Sequence, residues 1–200
     1  MIPVRCAAII AGGASRRMGQ NKALIPINGE PLVTRVAKVL RPLFSKVVVV
    51  TFDFDIARAA ALPAIEDEVC GRGPLGGIHA ALRHFNAPVF CVACDMPFLN
   101  GPAIEFLCAQ LKDFDAVLPR LENGEASCAE PFHAVYAPSC LPFLEAEFAR
   151  ERVRPVEGVL GAARVCFVEE YALRAFDDEL RFLRNWNYPH DACADGFAIS

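Results

Sequence analysis

Gly12, Gly13, Ser15, Arg16, Arg17 and Lys22 follow directly on the apolar run Ala7 to Ala11. Two residues without Cβ let the backbone turn tightly and approach a ligand, and the hydroxyl, guanidinium and ammonium donors that follow add to bare backbone N–H groups. A phosphate chain suits that set of donors. The competing reading is an ordinary strand-to-helix turn carrying solvated arginines. Walker A needs two glycines four residues apart with Lys and Ser or Thr directly after the second, whereas Gly13 and Gly19 are too widely spaced and Lys22 is followed by Ala23. Gly12-Gly13-Ala14-Ser15-Arg16 does not supply the G-x-G-x-x-G dinucleotide fingerprint either.

The elements that must position these residues alternate. Ala7 to Ala11 is predicted as a buried strand, Pro31 to Phe44 as a helix with apolar residues at helical spacing, and Lys46 to Phe52 as a central parallel strand. Asp55 to Leu62 follows as a short helix, Ala64 to Glu66 as a brief strand ending at Asp67, and Gly71 to Gly77 as a glycine loop opening a helix to about Phe85. Val89 to Cys94 is the next strand, ending at Asp95. Beyond it the pattern predicts a helix over Pro102 to Leu111, a strand at Ala116 to Leu118, and a polar loop or hairpin turn around Asn123-Gly124. Pro131 to Ala137 and Val165 to Val168 read as strands, and Ser139 to Arg150 and Arg154 to Ala163 as helices. Such alternation implies a three-layer α/β domain with a mostly parallel sheet, whose ligands gather at the carboxyl ends of the strands. Both glycine loops, Asp67 and Asp95 then converge on one rim.

Two hundred residues fit one domain, placed at 1–192, with a tail from Cys193 to Ser200 that lacks periodicity. A hydrophobic content of 54% with 22% charged residues argues against disorder, and no apolar stretch is long enough to cross a bilayer. The net charge of −4 gives no general attraction to nucleic acid or anionic membrane, so phosphate binding has to come from a local cluster such as Arg16, Arg17 and Lys22. Arg5 followed by CAAIIAGGA faintly imitates a signal peptide, but this apolar region is short, broken by the glycine pair and followed by RRMGQNK, which fits a first strand and its loop better; with nine scattered cysteines the expected setting is reducing and cytoplasmic. Cys91 and Cys94 form a C-x-x-C, but on a strand residues three apart face opposite ways, so they are read as packing thiols. His79, His84, His133 and His190 share no metal-ligand spacing.

The segment IIAGGASRRMGQNKAL resembles the L-A-G-G-x-S-x-R-M-G-x-x-K-A-L signature of the molybdenum cofactor guanylyltransferases, within the wider nucleotidyltransferase superfamily that includes sugar-nucleotide pyrophosphorylases. Ile65-Glu66-Asp67, Gly73-Pro74-Leu75-Gly76-Gly77 and Cys94-Asp95-Met96-Pro97-Phe98-Leu99 match in order, and Asn185-Trp186-Asn187-Tyr188-Pro189 matches N-x-N-T-P more weakly. The resemblance implies a Rossmann-like sheet of the nucleotide-diphospho-sugar transferase type, with one antiparallel strand added in the second half. It implies transfer of GMP from GTP to molybdenum-bound molybdopterin with release of pyrophosphate, and molybdoenzyme apoproteins and their chaperones as further partners. GTP contacts are then expected from Ile10, Ala11, Gly12, Gly13, Lys22, Thr51, Asp67, Gly73, Pro74, Leu75, Gly76 and Asp95.

In that reaction Lys22 and Arg17 neutralise the departing pyrophosphate and Asp95 binds Mg2+, a cation that needs only one or two carboxylates beside substrate phosphates. Asp95 could instead cap the following turn, Lys22 could be a solvated lysine, and Asp67 could be a loop carboxylate in the run Glu66-Asp67-Glu68. Relatives that use CTP carry A-A-G in the first loop and lack G-P-L-x-G, so Ala11-Gly12-Gly13 and Gly73 to Gly77 favour guanine by leaving room for the larger base. The asparagine that relatives carry after the second strand is missing from Val50-Thr51-Phe52-Asp53, where Thr51 is the substitute, and Tyr188 replaces the threonine of N-x-N-T-P. Arg150, Arg152 and Arg154 are either a pterin-phosphate site or a solvated helix end. Rival readings are a CTP-dependent or sugar-phosphate transferase of the same fold, and a nucleotide-binding adaptor that delivers cofactor without turnover.

Overall fold

The computed structural model describes residues 3–11, 21–69, 72–123, 126–150, 154–186 and 191. Its centre is β1 (Cys6–Ile10), whose five side chains are all buried. Small residues at Cys6, Ala7 and Ala8 let helices sit close on either side. Ala7 and Ile9 face one core, and Cys6, Ala8 and Ile10 face the other, as the two-residue period of a strand requires.

Parallel neighbours flank β1: β4 (Lys46–Val50), with Ala8 opposite Val48, and β6 (Val89–Ala93), with Ala8 opposite Cys91. The sheet continues from β4 to β5 (Ala64–Ile65) on one side. On the other it runs from β6 through β9 (Ala134–Tyr136) to β7 (Ala116–Asn123) and β10 (Val165–Glu169), while β8 (Ala126–Ala129) pairs with β7. Strand order is therefore β10-β7-β9-β6-β1-β4-β5, with β8 off the path. β9 is antiparallel to both of its neighbours and β8 to β7, so the single antiparallel strand expected is joined by a second.

Helices cover both faces, completing the three layers. Helices α1 (Leu32–Leu40), α2 (Phe54–Ala60), α4 (Gly101–Ala109) and α7 (Glu170–Leu173) pack their apolar residues into the core that holds Ile9. Helices α3 (Pro74–Phe85), α5 (Leu141–Phe148) and α6 (Val156–Val159) pack theirs into the core that holds Ala8. Cys91 belongs to the second core and Cys94 packs against the first, opposite faces as expected.

Three expectations change. The helix predicted over Arg154 to Ala163 is one turn, α6, because Gly158 and Gly161 weaken helix propagation after Pro155. The strand predicted from Pro131 shortens to β9, since His133 at φ 100° breaks the extended run. Pro26–Ile27 (β2) and Glu30–Pro31 (β3) form a hairpin that periodicity did not suggest. Its turn is Asn28-Gly29, at φ 50° and 78°, the left-handed pair that a two-residue hairpin requires. The tail from Cys193 to Ser200 lies outside the described residues.

Candidate active site

Strand order reverses at β1, with β4 and β5 to one side and β6 to the other, and such a switch point opens a crevice at the carboxyl ends of the strands. Sheet pairing continues to the lip of that crevice: the Cys94 N–H donates to the Ile10 carbonyl at 3.1 Å and the Ala11 N–H to the Val50 carbonyl at 3.0 Å. Asp95 lies in the turn just beyond β6, and its carbonyl accepts from the Trp186 N–H at 2.9 Å. Lys22 opens a single 3-10 turn, Lys22–Leu24, capped by the Asn21 side chain, which accepts from the Ala23 N–H. Lys22 Nζ stands 3.9 Å from Asp95 Oδ2, each side chain about one-fifth exposed.

At 3.9 Å the two charges are beyond direct hydrogen bonding, which leaves both open to a third group. A partly exposed ion pair contributes about 0–1 kcal/mol to folding, so stability does not account for it. Burial also raises the Asp95 carboxyl above its usual range, against the opposing pull of Lys22. A carboxylate held at such cost in a crevice is a functional candidate.

The third component is the start of α3. Gly73 caps it at φ 54°, ψ −134°, a backbone state that glycine adopts without strain, and Pro74 occupies the first helical position. A helix of twelve residues presents its first-turn N–H groups and its positive dipole end here, an arrangement that binds phosphate. Asp67 lies against this turn: it accepts from the Val69 N–H at 2.9 Å within its own loop, and its Oδ2 occupies the space a Gly76 Cβ would take. Burial raises the Asp67 carboxyl, opposed by the Val69 hydrogen bond. A small hydrophobic cluster of Ile27, Leu32 and Trp186, with Ile25 and Phe98 against it, packs the β2–β3 hairpin onto the segment that carries Asp95. Phe98 and Trp186 meet edge to face at 5.4 Å.

The sequence-predicted residues fare differently. The structure brings Lys22 beside Asp95 and Asp67 beside Gly76, two separate pairs that both lie beyond carboxyl ends of strands, with Ala11 directly after β1. Ile10 and Leu75 are 5% and 2% exposed and turn their side chains into the core, so only their backbone can serve a ligand. Thr51 is 2% exposed and its hydroxyl is engaged by the Asp53 backbone, accepting from its N–H at 3.0 Å, so here too the backbone is what can serve a ligand. The glycines at 76 and 77 do not clear space for a purine either, because Asp67 and Ile10 fill the positions their Cβ atoms would take. Arg150 and Arg154 pair with the fully buried Glu147 at 3.2 and 2.7 Å rather than standing free as a phosphate site. Gly12, Gly13, Arg17, Arg152 and Asn187 to Pro189 lie outside the described residues.

Three residues were missed. Asn21 and Asp53 share a hydrogen bond beside Lys22. Glu130 accepts from the Phe132 N–H at 2.9 Å, and its carboxyl is pushed up to about 7, first by burial and further by the negative charge of Asp95. The Asn123-Gly124 turn was the available signal, since a hairpin there returns residue 130 toward the sheet.

Among the described residues no group of three or more His, Cys, Asp or Glu side chains could hold a metal ion. A cation that keeps several waters and takes its remaining ligands from phosphate fits the lone Asp95 carboxylate. A cleft of about 570 Å³ at the edge strand β5 is walled by residues such as Phe54, Glu66, His79 and Arg83, not by Lys22, Asp67 or Asp95.

Residues 7–163 match the family model of the MobA-like NTP transferase domain. A protein of Pelotomaculum thermopropionicum named "probable molybdenum cofactor guanylyltransferase" is 36% identical over 185 residues, covering 92% of this chain and 87% of that protein. The crystal structure of molybdopterin-guanine dinucleotide biosynthesis protein A from Archaeoglobus fulgidus superposes with a TM-score of 0.79 at 31% identity, over 94% of this chain and 95% of that one. A 4-diphosphocytidyl-2C-methyl-D-erythritol synthase from Anaerococcus prevotii shares the fold, with a TM-score of 0.71 at 12% identity, over 96% of this chain and 93% of that one.

Proposed function

Because this chain belongs to the MobA-like NTP transferase family and is a nucleotidyltransferase, we propose that it transfers GMP from GTP to molybdenum-bound molybdopterin. In that reaction a terminal phosphate oxygen of the acceptor attacks the α-phosphorus of GTP. The bond from the α-phosphorus to the α–β bridging oxygen breaks, and pyrophosphate leaves with the electron pair. No protein nucleophile is needed, since the acceptor supplies the attacking oxygen. The protein's task is to position two anions and to neutralise charge that grows on the leaving group.

Lys22 serves the β- and γ-phosphates, with Arg17 as a second cation. Negative charge on pyrophosphate increases as the bond breaks, so an ammonium placed there acts more strongly in the transition state than in the ground state. At the start of α3 the backbone N–H groups of Gly73, Leu75 and Gly76 donate to phosphate, Pro74 having none, and Asp67, which lies beside Gly76, is a further nucleotide contact. Asp95 would hold Mg2+, which would supply positive charge against the negative charge of the substrate phosphates. The observation that carries this reading is the approach of Lys22 to Asp95 at the strand-order reversal. The choice of guanine rests on the names borne by the relatives. The further partners proposed are molybdoenzyme apoproteins and their chaperones, in the cytoplasm, where the seven described cysteines, all free, would stay reduced.

A pyrophosphate-release assay over GTP, CTP, ATP and UTP, with and without molybdopterin acceptor, tests the proposal. Release is expected with GTP and acceptor together. Preferential turnover of CTP would overturn the guanylyl assignment while leaving the transferase chemistry in place.

A further inference from the structure

Lys22 sits on a single helical turn, too short to hold itself, so something else must fix where its ammonium goes. The Asn21 side chain does two jobs at once. Its Oδ1 accepts from the Ala23 N–H at 3.2 Å and so caps the turn, while its Nδ2 donates to Asp53 Oδ2 at 3.1 Å. Ala23 is fully buried, which anchors the other side of the turn. Asp53 is just as fully used. Its Oδ1 accepts from the Asp55 N–H at 3.1 Å and caps α2, and its own N–H donates to the Thr51 hydroxyl at 3.0 Å. The Thr51 N–H in turn donates to the Ile65 carbonyl at 2.9 Å, tying the chain to the carboxyl ends of β4 and β5. A continuous path of hydrogen bonds therefore runs from the sheet through Thr51, Asp53 and Asn21 to the turn that carries Lys22.

We propose that Asp53 is a positioning residue for Lys22, acting through the amide of Asn21. The chemistry of the pair is directional. Position 21 needs an acceptor toward Ala23 and a donor toward position 53, and a side-chain amide of this length supplies both. A carboxylate at 21 would still cap the turn but would face the Asp53 carboxylate across 3.1 Å, where like charges repel. The proposal rests on the reading of Lys22 as the cation of the leaving pyrophosphate, and misplacement of such a group by about 1 Å can cost on the order of a hundredfold in rate.

The test is an exchange. Asn21→Asp is expected to lower kcat for pyrophosphate release by roughly 10- to 100-fold, with KM for GTP within about threefold, because the ammonium is misplaced chiefly where charge grows in the transition state. In the double variant Asn21→Asp, Asp53→Asn the amide and carboxylate trade places: Asn at 53 accepts from Asp55 and donates to Asp at 21. Its kcat is expected to return to within about threefold of the parent. A general structural role predicts no such rescue. Asn21→Ala, which leaves the cap of α2 intact, is the second variant should the single carboxylate exchange fail to fold; it is expected to lose about tenfold in kcat. Lys22→Ala separates the two readings. If Lys22→Ala is inactive and the exchange does not restore kcat, or Asn21→Ala turns over at the parental rate, the positioning role is wrong. If Lys22→Ala turns over like the parent, the reading of Lys22 itself fails, and with it this inference.

Discussion

Glu130 holds a proton at pH values where an ordinary glutamate has lost it, and this makes folding stability depend on pH in a defined sense. Its carboxyl is raised from 4.5 to about 7, so between those values the folded chain binds more protons than the unfolded one. The contribution is present in full below about pH 4.5 and is lost as pH rises through about 7. One pKa unit corresponds to about 1.4 kcal/mol, so the swing approaches about 3 kcal/mol. Glu130→Gln removes the titration and is expected to gain stability relative to the parent at pH 8 but not at pH 5, measured by urea denaturation at both. An unchanged difference at the two pH values would contradict this account of Glu130. At this scale the sequence was uneven. The sequence marked Lys22 through the signature it sits in and Asp95 through the apolar run it ends, and the structure sets the two 3.9 Å apart. For Thr51 residue type did not say where the hydroxyl points, and it points at the Asp53 backbone. Glu130 was missed because its signal, the Asn123-Gly124 turn, does not say which loop residue the hairpin brings near Asp95.

Trp186 links the β2–β3 hairpin to the segment that carries Asp95. It is 5% exposed, its ring meets Phe98, and its N–H reaches the Asp95 carbonyl. Trp186→Ala keeps the backbone bond but empties the small cluster with Ile27 and Leu32, a loss of about 3–5 kcal/mol for a buried aromatic. Thermal unfolding of this variant should begin well below that of the parent, and an unchanged melting temperature would show that the cluster is not a structural clamp. The β2–β3 hairpin in this cluster carried its turn signal openly in Asn28-Gly29. Its strands are only two residues each, too short for any alternation to register. The overlong prediction for α6 has the opposite cause: apolar spacing continued past residues whose backbone does not sustain a helix.

For the whole molecule, the alternation of strands and helices was enough to give the three layers, and with them the expectation that ligands gather at the carboxyl ends of the strands. Pairing order was not legible from the residues, because strands buried on both faces look alike wherever they sit in a sheet. The antiparallel β9 came only from the resemblance, and the lengthened β7 with its partner β8 came from the structure. Sheet order matters most to the function, since it places the ends of β1 and β6 side by side and so brings Lys22 within 3.9 Å of Asp95. The central claim is that this pair acts on one triphosphate together with a divalent cation. The most direct measurement is Mg2+-dependent pyrophosphate release from GTP with acceptor, for the parent and for Asp95→Asn, alongside the thermal unfolding of each. The account predicts a loss of at least about a hundredfold in kcat for a variant that melts no lower than the parent, because the replaced carboxylate was held against burial. A folded Asp95→Asn protein that releases pyrophosphate at the parental rate would contradict it.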